Sequence, residues 1–457
     1  MTRPTDDKNR PREPDPAIPA SLAGLFAEFR GCFSAWTFPV FCALACGLVS
    51  QTGRRTVCGM LVGARLSTVW SHHRAHRFFS HGRWTVEAVS VVAARLVVRL
   101  LVGATETVTV AVDDTLFARR GPKVHAASWF HDGSAQGKRK VSYGNNWVIV
   151  AIVVRLAFLD RPVALPVSFA LVRKDTEDAS RLEAARRLID ALAVALGDRR
   201  IDVVGDSAYA GKTLRGLPDT VTWTTRLACN AALWDLAPAP TGRRGRPRTK
   251  GDRLGSLADL AAQGTFAPTT VTRYGRTVTV RTAVIACLWY GVFGPQQIQV
   301  LLARDKTNTG YDIALVTTDL TATPAQIIER YADRWSIEVA IEDAKQTTGV
   351  GQAPKPRPPS SRTDRPLRAH RRHPHHLLVR NRRPPPQRRR NHPQPRALVP
   401  DQNPTIRPRH GRQTPPRHHR RAISTRRPHT THTSRNQPPT PRMGRRRRLA
   451  AKVEVNR

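Results

Sequence analysis

No phenylalanine, tyrosine or tryptophan follows Trp335 in this 457-residue sequence. From Gly351 onward lie 20 of the 36 prolines and 10 of the 16 histidines, and no hydrophobic period survives there. A stretch of that kind cannot bury enough apolar surface to offset the entropy of ordering it. Residues 353–457 are therefore expected to form a disordered basic tail. Its Arg/Pro/His composition also resembles GC-rich coding sequence read out of frame, which favours a frameshift near residues 350–355 over a genuine basic tail. Acids are scarce as well: 34 Asp and Glu stand against 75 Lys and Arg, a net charge of +41. Such an imbalance points to a polyanionic partner, with nucleic acid first. Of this excess, 30 Lys and Arg against three acids lie beyond residue 350. The remaining body is still basic, by about 14 charges, so the argument for nucleic acid applies to it separately.

Cysteine is sparse and scattered. Cys32, Cys42, Cys46, Cys58, Cys229 and Cys287 form no CxxC pair, and the chain is too long for a small secreted disulfide scaffold. Buried free thiols in a reducing compartment are expected. Long apolar runs are lacking too. Pro39 breaks "WTFPVFCALACGLV", and Arg95 and Arg99 break "AVSVVAARLVVRLLVGA". Neither reaches the ~18–20 apolar residues of a membrane span. The first residues, "MTRPTDDKNRPREPDP", are polar and rich in proline, unlike a signal peptide. The expectation is a soluble, cytoplasmic, nucleoid-associated protein with no membrane partner.

Residues 1–20 read as a disordered leader. Residues 21–104 have helical patterning, with Thr56 and Thr85 placed as N-caps. Arg54, Arg55, Arg74 and Arg77 alternate there with apolar positions, as in a helical DNA-binding domain; a helical bundle with a solvated basic face gives the same pattern. At Glu106 the period changes. "ETVTVAVDDT" alternates as a strand does, and "NNWVIVAIVVRLAF" and "RPVALPVSFALV" follow as further β-branched runs. Asp178 to Gly197 is an amphipathic helix, "RRIDVVGDSAYAG" a short strand running into a helix start, and "DTVTWTTRL" another strand. The order β-β-β-α-β-α-β over 105–229 predicts an α/β fold: a mixed sheet with flanking helices. Residues 230–320 form a β-rich insertion, and 321–352 a helix beginning at Pro324 that completes the core.

Two strand ends carry acids. Asp113 and Asp114 close "VAVDDT", and Asp206 closes "VVGD". Carboxylates at strand ends suit a hard divalent cation, Mg2+ or Mn2+, which takes oxygen ligands. Ordinary strand-to-loop acids or helix caps would look the same. On the late helix, at about 100° per residue, Tyr331, Arg334, Glu338 and Lys345 fall within an arc of about 60°. That face offers a carboxylate between cations that could hold phosphates; a solvated face of helical salt bridges is the plainer reading. Glu342 lies on the same face and rivals Glu338 as a ligand.

The spacing Y-x2-R-x3-E-x6-K, met by Tyr331, Arg334, Glu338 and Lys345, resembles the signature of a group of bacterial insertion-sequence transposases of the DDE superfamily. "AVDDT" resembles that family's first-acid motif, which favours Asp113 over Asp114, and "VVGDSAYAG" resembles its second. The resemblance spans about residues 50–350. It implies an RNase H-like core, a mixed five-stranded sheet with flanking helices, and a β-rich insertion before the last catalytic helix. It implies Asp113, Asp206 and Glu338 as catalytic ligands of two Mg2+ or Mn2+ ions. Tyr331, Arg334 and Lys345 would hold DNA. The implied activity is DNA strand cleavage and strand transfer at the ends of an insertion sequence. The implied partners are double-stranded DNA, both terminal inverted repeats and target, and a second copy in a homodimer. Trp234 and Trp289 are candidates to stack a flipped base, although core packing explains each. The alternative reading is a frameshifted, catalytically inactive remnant that only binds DNA.

Overall fold

The computed structural model describes residues 20–350, except 54, 122–123, 134, 136–139, 175, 177–178, 240–245 and 306–308. The tail, nearly all of the leader and Arg54 thus lie outside the described residues.

Five helices come first: α1 (Ala20–Glu28), α2 (Thr37–Ser50), α3 (Val57–Gly63), α4 (His72–His81) and α5 (Val86–Leu101). Local chemistry sets their starts. The Thr56 hydroxyl accepts the Gly59 N–H at 2.8 Å, and Thr85 accepts the Ala88 N–H at 3.2 Å, each satisfying a donor that the first helical turn leaves unpaired. Phe33, Leu44, Met60, Trp70, Phe78 and Trp84 gather between these helices into a core of their own. Helices α2 and α3 meet at Gly47, where a Cβ would stand 1.8 Å from the Met60 carbonyl oxygen. Only glycine permits that approach.

The rest of the described chain is one mixed sheet with helices on both faces. Its elements are β1 (Val108–Ala118), β2 (Ser128–His131), β3 (Val141–Val154), β4 (Val163–Leu171), α6 (Arg181–Leu196), β5 (Ile201–Gly205), β6 (Val221–Arg226), α7 (Leu257–Gln263), β7 (Ala267–Arg273), β8 (Arg276–Leu288), α8 (Tyr290–Phe293), β9 (Gln297–Arg304), β10 (Ile313–Thr317), α9 (Pro324–Asp333) and α10 (Trp335–Thr347). Strands β2 and β4 share one edge of β3, both antiparallel to it. Strand β1 lies antiparallel along the other edge; β5 is parallel to β1, and β6 parallel to β5. The sheet then runs on through β10, β9, β8 and β7, all antiparallel.

The expected five strands are therefore ten. The difference has a simple cause. Strand β10 hydrogen-bonds to the open edge of β6, so the strands read as an insertion continue the same sheet. Two smaller departures accompany it. The four-residue strand β2 was not expected. Where a helix was expected after Asp206, the link from β5 to β6 has only a 3-10 turn, Lys212–Leu214. Gly211, Gly216 and Pro218 punctuate that link and deny it the length a helix needs.

Helix α6 starts in a capping box. The Ser180 hydroxyl accepts the Glu183 N–H, and the Glu183 carboxylate accepts the Ser180 N–H. Leu182, Leu188, Ile189 and Leu192 of this helix cover one face of the sheet, beside Ala94 and Val98 of α5. On the other face Ile337 and Ile341 of α10 pack on Ala111, Ile149, Ala151 and Val204. Ile327 and Ile328 of α9 pack on Val271, Leu301 and Leu315. Strand β3 is buried on both sides from Gly144 to Val154, which explains why it reads as an unbroken apolar run rather than an alternating one.

Thr323 and Gln326 form the capping box of α9, with Pro324 at its first position. The expected single helix is interrupted at Arg334, where α9 gives way to α10. Among the described residues no helix is long and apolar enough to cross a membrane. The six cysteines are unpaired; Cys42 and Cys287 are buried, whereas Cys58 and Cys229 are exposed, contrary to the expectation of burial.

Candidate active site

Successive side chains on a strand point to opposite faces. Ala111 of β1 packs with Ile337 and Ile341, so Asp113, two residues on, faces α10. Asp114 faces the α6 side, and its partners agree. Its carboxylate accepts from Arg181 Nη1 at 3.1 Å, from the Tyr209 hydroxyl at 3.0 Å and from Asn146 Nδ2 at 2.9 Å. Three donors on one carboxylate make Asp114 a tie between β1, β3, the first turn of α6 and the segment after β5.

Asp206 follows β5 directly. The parallel register pairs Ala111 of β1 with Val204 of β5, and Asp113 and Asp206, each two residues further on, line the same cavity. The turn beyond Asp206 is fixed locally: its Oδ1 accepts the Ala208 N–H at 2.9 Å, and its carbonyl accepts the Thr225 hydroxyl at 2.5 Å. Glu338 arrives from above the sheet on α10, one turn after Arg334. The Arg334 guanidinium donates through Nη2 to Glu338 Oε1 at 2.8 Å and through Nη1 to Asp113 Oδ2 at 3.3 Å.

Asp113, Asp114, Asp206, Glu338, Glu342, Arg334 and Lys345 all line one cavity of about 500 Å3, with Asp132, His131 and Arg181. The helix residue Tyr331 is not among the lining residues. Its ring packs between the apolar groups under α9 and α10, and the Arg334 guanidinium carbon lies 5.7 Å from its centre. The basic residues of the helical part are placed elsewhere. Arg55 Nη1 donates to the Leu48 carbonyl at 3.0 Å and to the Gln51 carbonyl, and so caps α2. Arg74 lies over the Trp70 ring at 3.8 Å, and Arg77 is exposed. The Trp234 ring is covered by the Lys250 ammonium at 3.2 Å, and the Trp289 ring meets Phe293 edge-on.

Asn146, Arg181, Tyr209, His131 and Asp132 were not singled out from sequence. Tyr209 had a signal, three residues after Asp206 in "GDSAY", but nothing in a single sequence ties Arg181 to Asp114 across 67 positions.

The electrostatics follow from crowding acids in a half-buried place. Burial pushes the Asp113 carboxyl up to about 7; Arg334 opposes this, and Glu338 and Asp114 add to it. Burial also raises Glu338, against Arg334, with Asp206 adding. For Arg334 burial acts against the charge, but Asp113 and Glu338 outweigh it and hold the guanidinium firmly protonated. The ion pair thus secures the arginine's charge more than the aspartate's. Burial lowers Lys345, against the pull of Asp132, Asp113 and Glu342.

Six carboxylates and only three cationic side chains line this cavity in a chain of net charge +41. A local acidic excess with hard oxygen donors is the chemistry that suits Mg2+ or Mn2+. Among the described residues, however, no three His, Cys, Asp or Glu side chains are gathered tightly enough to hold an ion. Arg334 bonds to two of the three candidate ligands instead. The donor set fits a divalent cation by its chemistry.

No curated protein matches the chain significantly. Among solved structures, the chain is similar to a piggyBac transposase in a synaptic complex with hairpin DNA, at 11% identity and a TM-score of 0.30. That alignment covers 70% of this chain and 63% of the other, so the chain spans less than two thirds of its length. The family model described as DDE superfamily endonuclease matches residues 28–290, a span that holds Asp113, Asp114 and Asp206 and stops short of Glu338. Over half of the sequence falls inside the match, and the chain belongs to the DDE superfamily endonuclease family.

Proposed function

We propose that the protein is a DDE transposase that cuts DNA and joins strands at the ends of a bacterial insertion sequence. The observation that carries this reading is the gathering of Asp113, Asp206 and Glu338 around one cavity that also holds Arg334 and Lys345. In this reading the first three are the ligands of a pair of Mg2+ or Mn2+ ions. When bound, the ions supply Lewis acidity and neutralise the charge that builds on phosphorus during in-line displacement. Asp113 lies in β1 and Asp206 directly follows the neighbouring parallel strand β5, so the pairing of the two strands brings both segments to the cavity. Glu338 is brought in by a helix whose apolar face is pinned to the same strands. Arg334 and Lys345 hold the phosphates next to the cut, and Asp114 keeps the Asp113 strand and the Asp206 turn in register.

The RNase H-like core is, in this reading, the part β4-β3-β1-β5-β6 of the larger sheet. Its first three strands are antiparallel, and the last two run parallel to β1. The helices of residues 21–104 are assigned to duplex binding, with Arg77 exposed for it, and synapsis of two ends to a homodimer. The arrangement belongs to the cytoplasm, on the nucleoid.

The test is a strand-cleavage assay with Mg2+ and a duplex carrying the element's terminal repeats. Cleavage by the wild-type chain that Asp206→Asn abolishes is the expected result. A second reading, an inactive remnant that only binds DNA, rests on the composition beyond residue 353. Duplex binding without cleavage by the wild-type chain would select it.

A further inference from the structure

The Arg334 side chain is only 10% exposed, yet its two side-chain hydrogen bonds both go to carboxylates proposed above as cation ligands, Asp113 and Glu338. Its third kind of donor, the Nε–H, is buried with no partner. A buried guanidinium with an orphan N–H is not in its best surroundings. What holds it there is the pair of acids, which would otherwise repel each other in a partly desolvated place. Arg334 also stands at the junction of α9 and α10 rather than inside either helix.

We infer that Arg334 is a built-in competitor for the divalent cation: its guanidinium serves as the counter-ion of Asp113 and Glu338 when no metal is bound, and releases both when one enters. This rests on the proposed function, since it takes Asp113 and Glu338 as cation ligands. A unit and a double positive charge cannot share the same two carboxylates at a few ångströms without strong repulsion. Whatever the cation gains by binding is therefore reduced by displacing the arginine. The coupling is reciprocal: anything that draws Arg334 away raises the affinity for the cation. A DNA phosphate is such a group, because guanidinium bonds phosphate as readily as carboxylate. The same exchange keeps the acids together before DNA arrives and favours cation loading once a phosphate has taken the arginine.

The test needs no catalysis. Mn2+ binding to the full-length, DNA-free protein is followed by the loss of the free-ion electron paramagnetic resonance signal. Four proteins are compared: wild type, Arg334→Gln, Arg334→Lys and Asp113→Asn. Arg334→Gln is expected to bind Mn2+ about tenfold more tightly than wild type, because it removes one positive charge from between the ligands. Arg334→Lys, which keeps the charge without the two-pronged geometry, is expected to fall between them. It carries the same prediction if the glutamine variant does not fold. Asp113→Asn should bind far more weakly than all of these. Unchanged or weaker Mn2+ binding in both Arg334 variants, alongside wild-type binding that Asp113→Asn abolishes, would overturn the competition while leaving the cation site intact. No specific Mn2+ binding by any of the four would remove the cation site itself, and the competition with it.

Discussion

Asp113 and Asp114 are adjacent acids with opposite employment, and the period of a strand decides which is which. Asp113 faces the helix that carries Glu338, while Asp114 is occupied by Arg181, Tyr209 and Asn146. Replacing Asp114 by alanine leaves Arg181 and the fully buried Tyr209 hydroxyl without their acceptor. A loss of about 3 kcal/mol is expected in denaturant unfolding. Asp206→Asn removes no comparable network and should stay within about 1 kcal/mol of wild type. Asp113 predicts a pH effect. With a chelator present, the folded carboxyl keeps its proton up to about pH 7, whereas the unfolded chain loses it near pH 4. The folded state then binds more protons across that window, so stability falls as pH rises from about 4 to about 7 and levels off above. Thermal melting of the chelated protein should show this decline, and Asp113→Asn should flatten it. A wild-type melting temperature that climbs over the same window would contradict the burial argument. At this scale the sequence shows the acids well, because a carboxylate in an apolar strand run is conspicuous. Only Asp206 follows a strand end, however, whereas Asp113 and Asp114, expected at one, lie inside β1, whose pairing with β3 runs on to Ala118. Nor does the sequence show that Arg334 pairs with Asp113, since 221 positions separate them.

Helix starts are the most legible elements. Thr56, Thr85 and Pro324 mark them in the sequence, and all three stand at helix starts in the structure. Helix interruptions are not legible. Nothing in "RYADRWSIEVAIEDAKQ" signals the break at Arg334, because each residue there is compatible with a helix. Helix α9, which leads into α10, is anchored by a buried ion triad that the sequence also hides. Arg330 bonds Asp202 at 2.8 Å and Asp319 at 2.8 Å, and both acids are nearly inaccessible. Arg330→Met keeps the bulk and removes the charge. It leaves two buried carboxylates unpaired, so unfolding free energy should drop by about 3–5 kcal/mol. DNA cleavage should fall with it, because Glu338 depends on how α9 seats α10. A change within experimental error in denaturant unfolding would show that the triad contributes no stability.

The whole molecule combines a strongly basic chain with an acidic cavity, and only the first half of that statement can be read from composition. The sheet is likewise only half legible. The strands announce themselves by alternation or by β-branched runs, but no local pattern says that β10 pairs with β6 and so joins the later strands to the earlier ones. Such pairing is a long-range choice fixed by which edge lies open after β6 is placed. The net charge of +41 predicts that duplex affinity falls steeply with salt. Between 50 and 200 mM salt a loss on the order of 10^3-fold is expected in filter binding, and a flat response would contradict a phosphate-based interface. The most direct test of the central claim is strand cleavage of an end-labelled terminal-repeat duplex in Mg2+. The wild-type chain is compared with Asp113→Asn, Asp206→Asn and Glu338→Gln, each first shown to bind the duplex. Cleavage by the wild type alone is the predicted result. Cleavage that persists in any of the three variants would contradict the assignment of these carboxylates as the catalytic set.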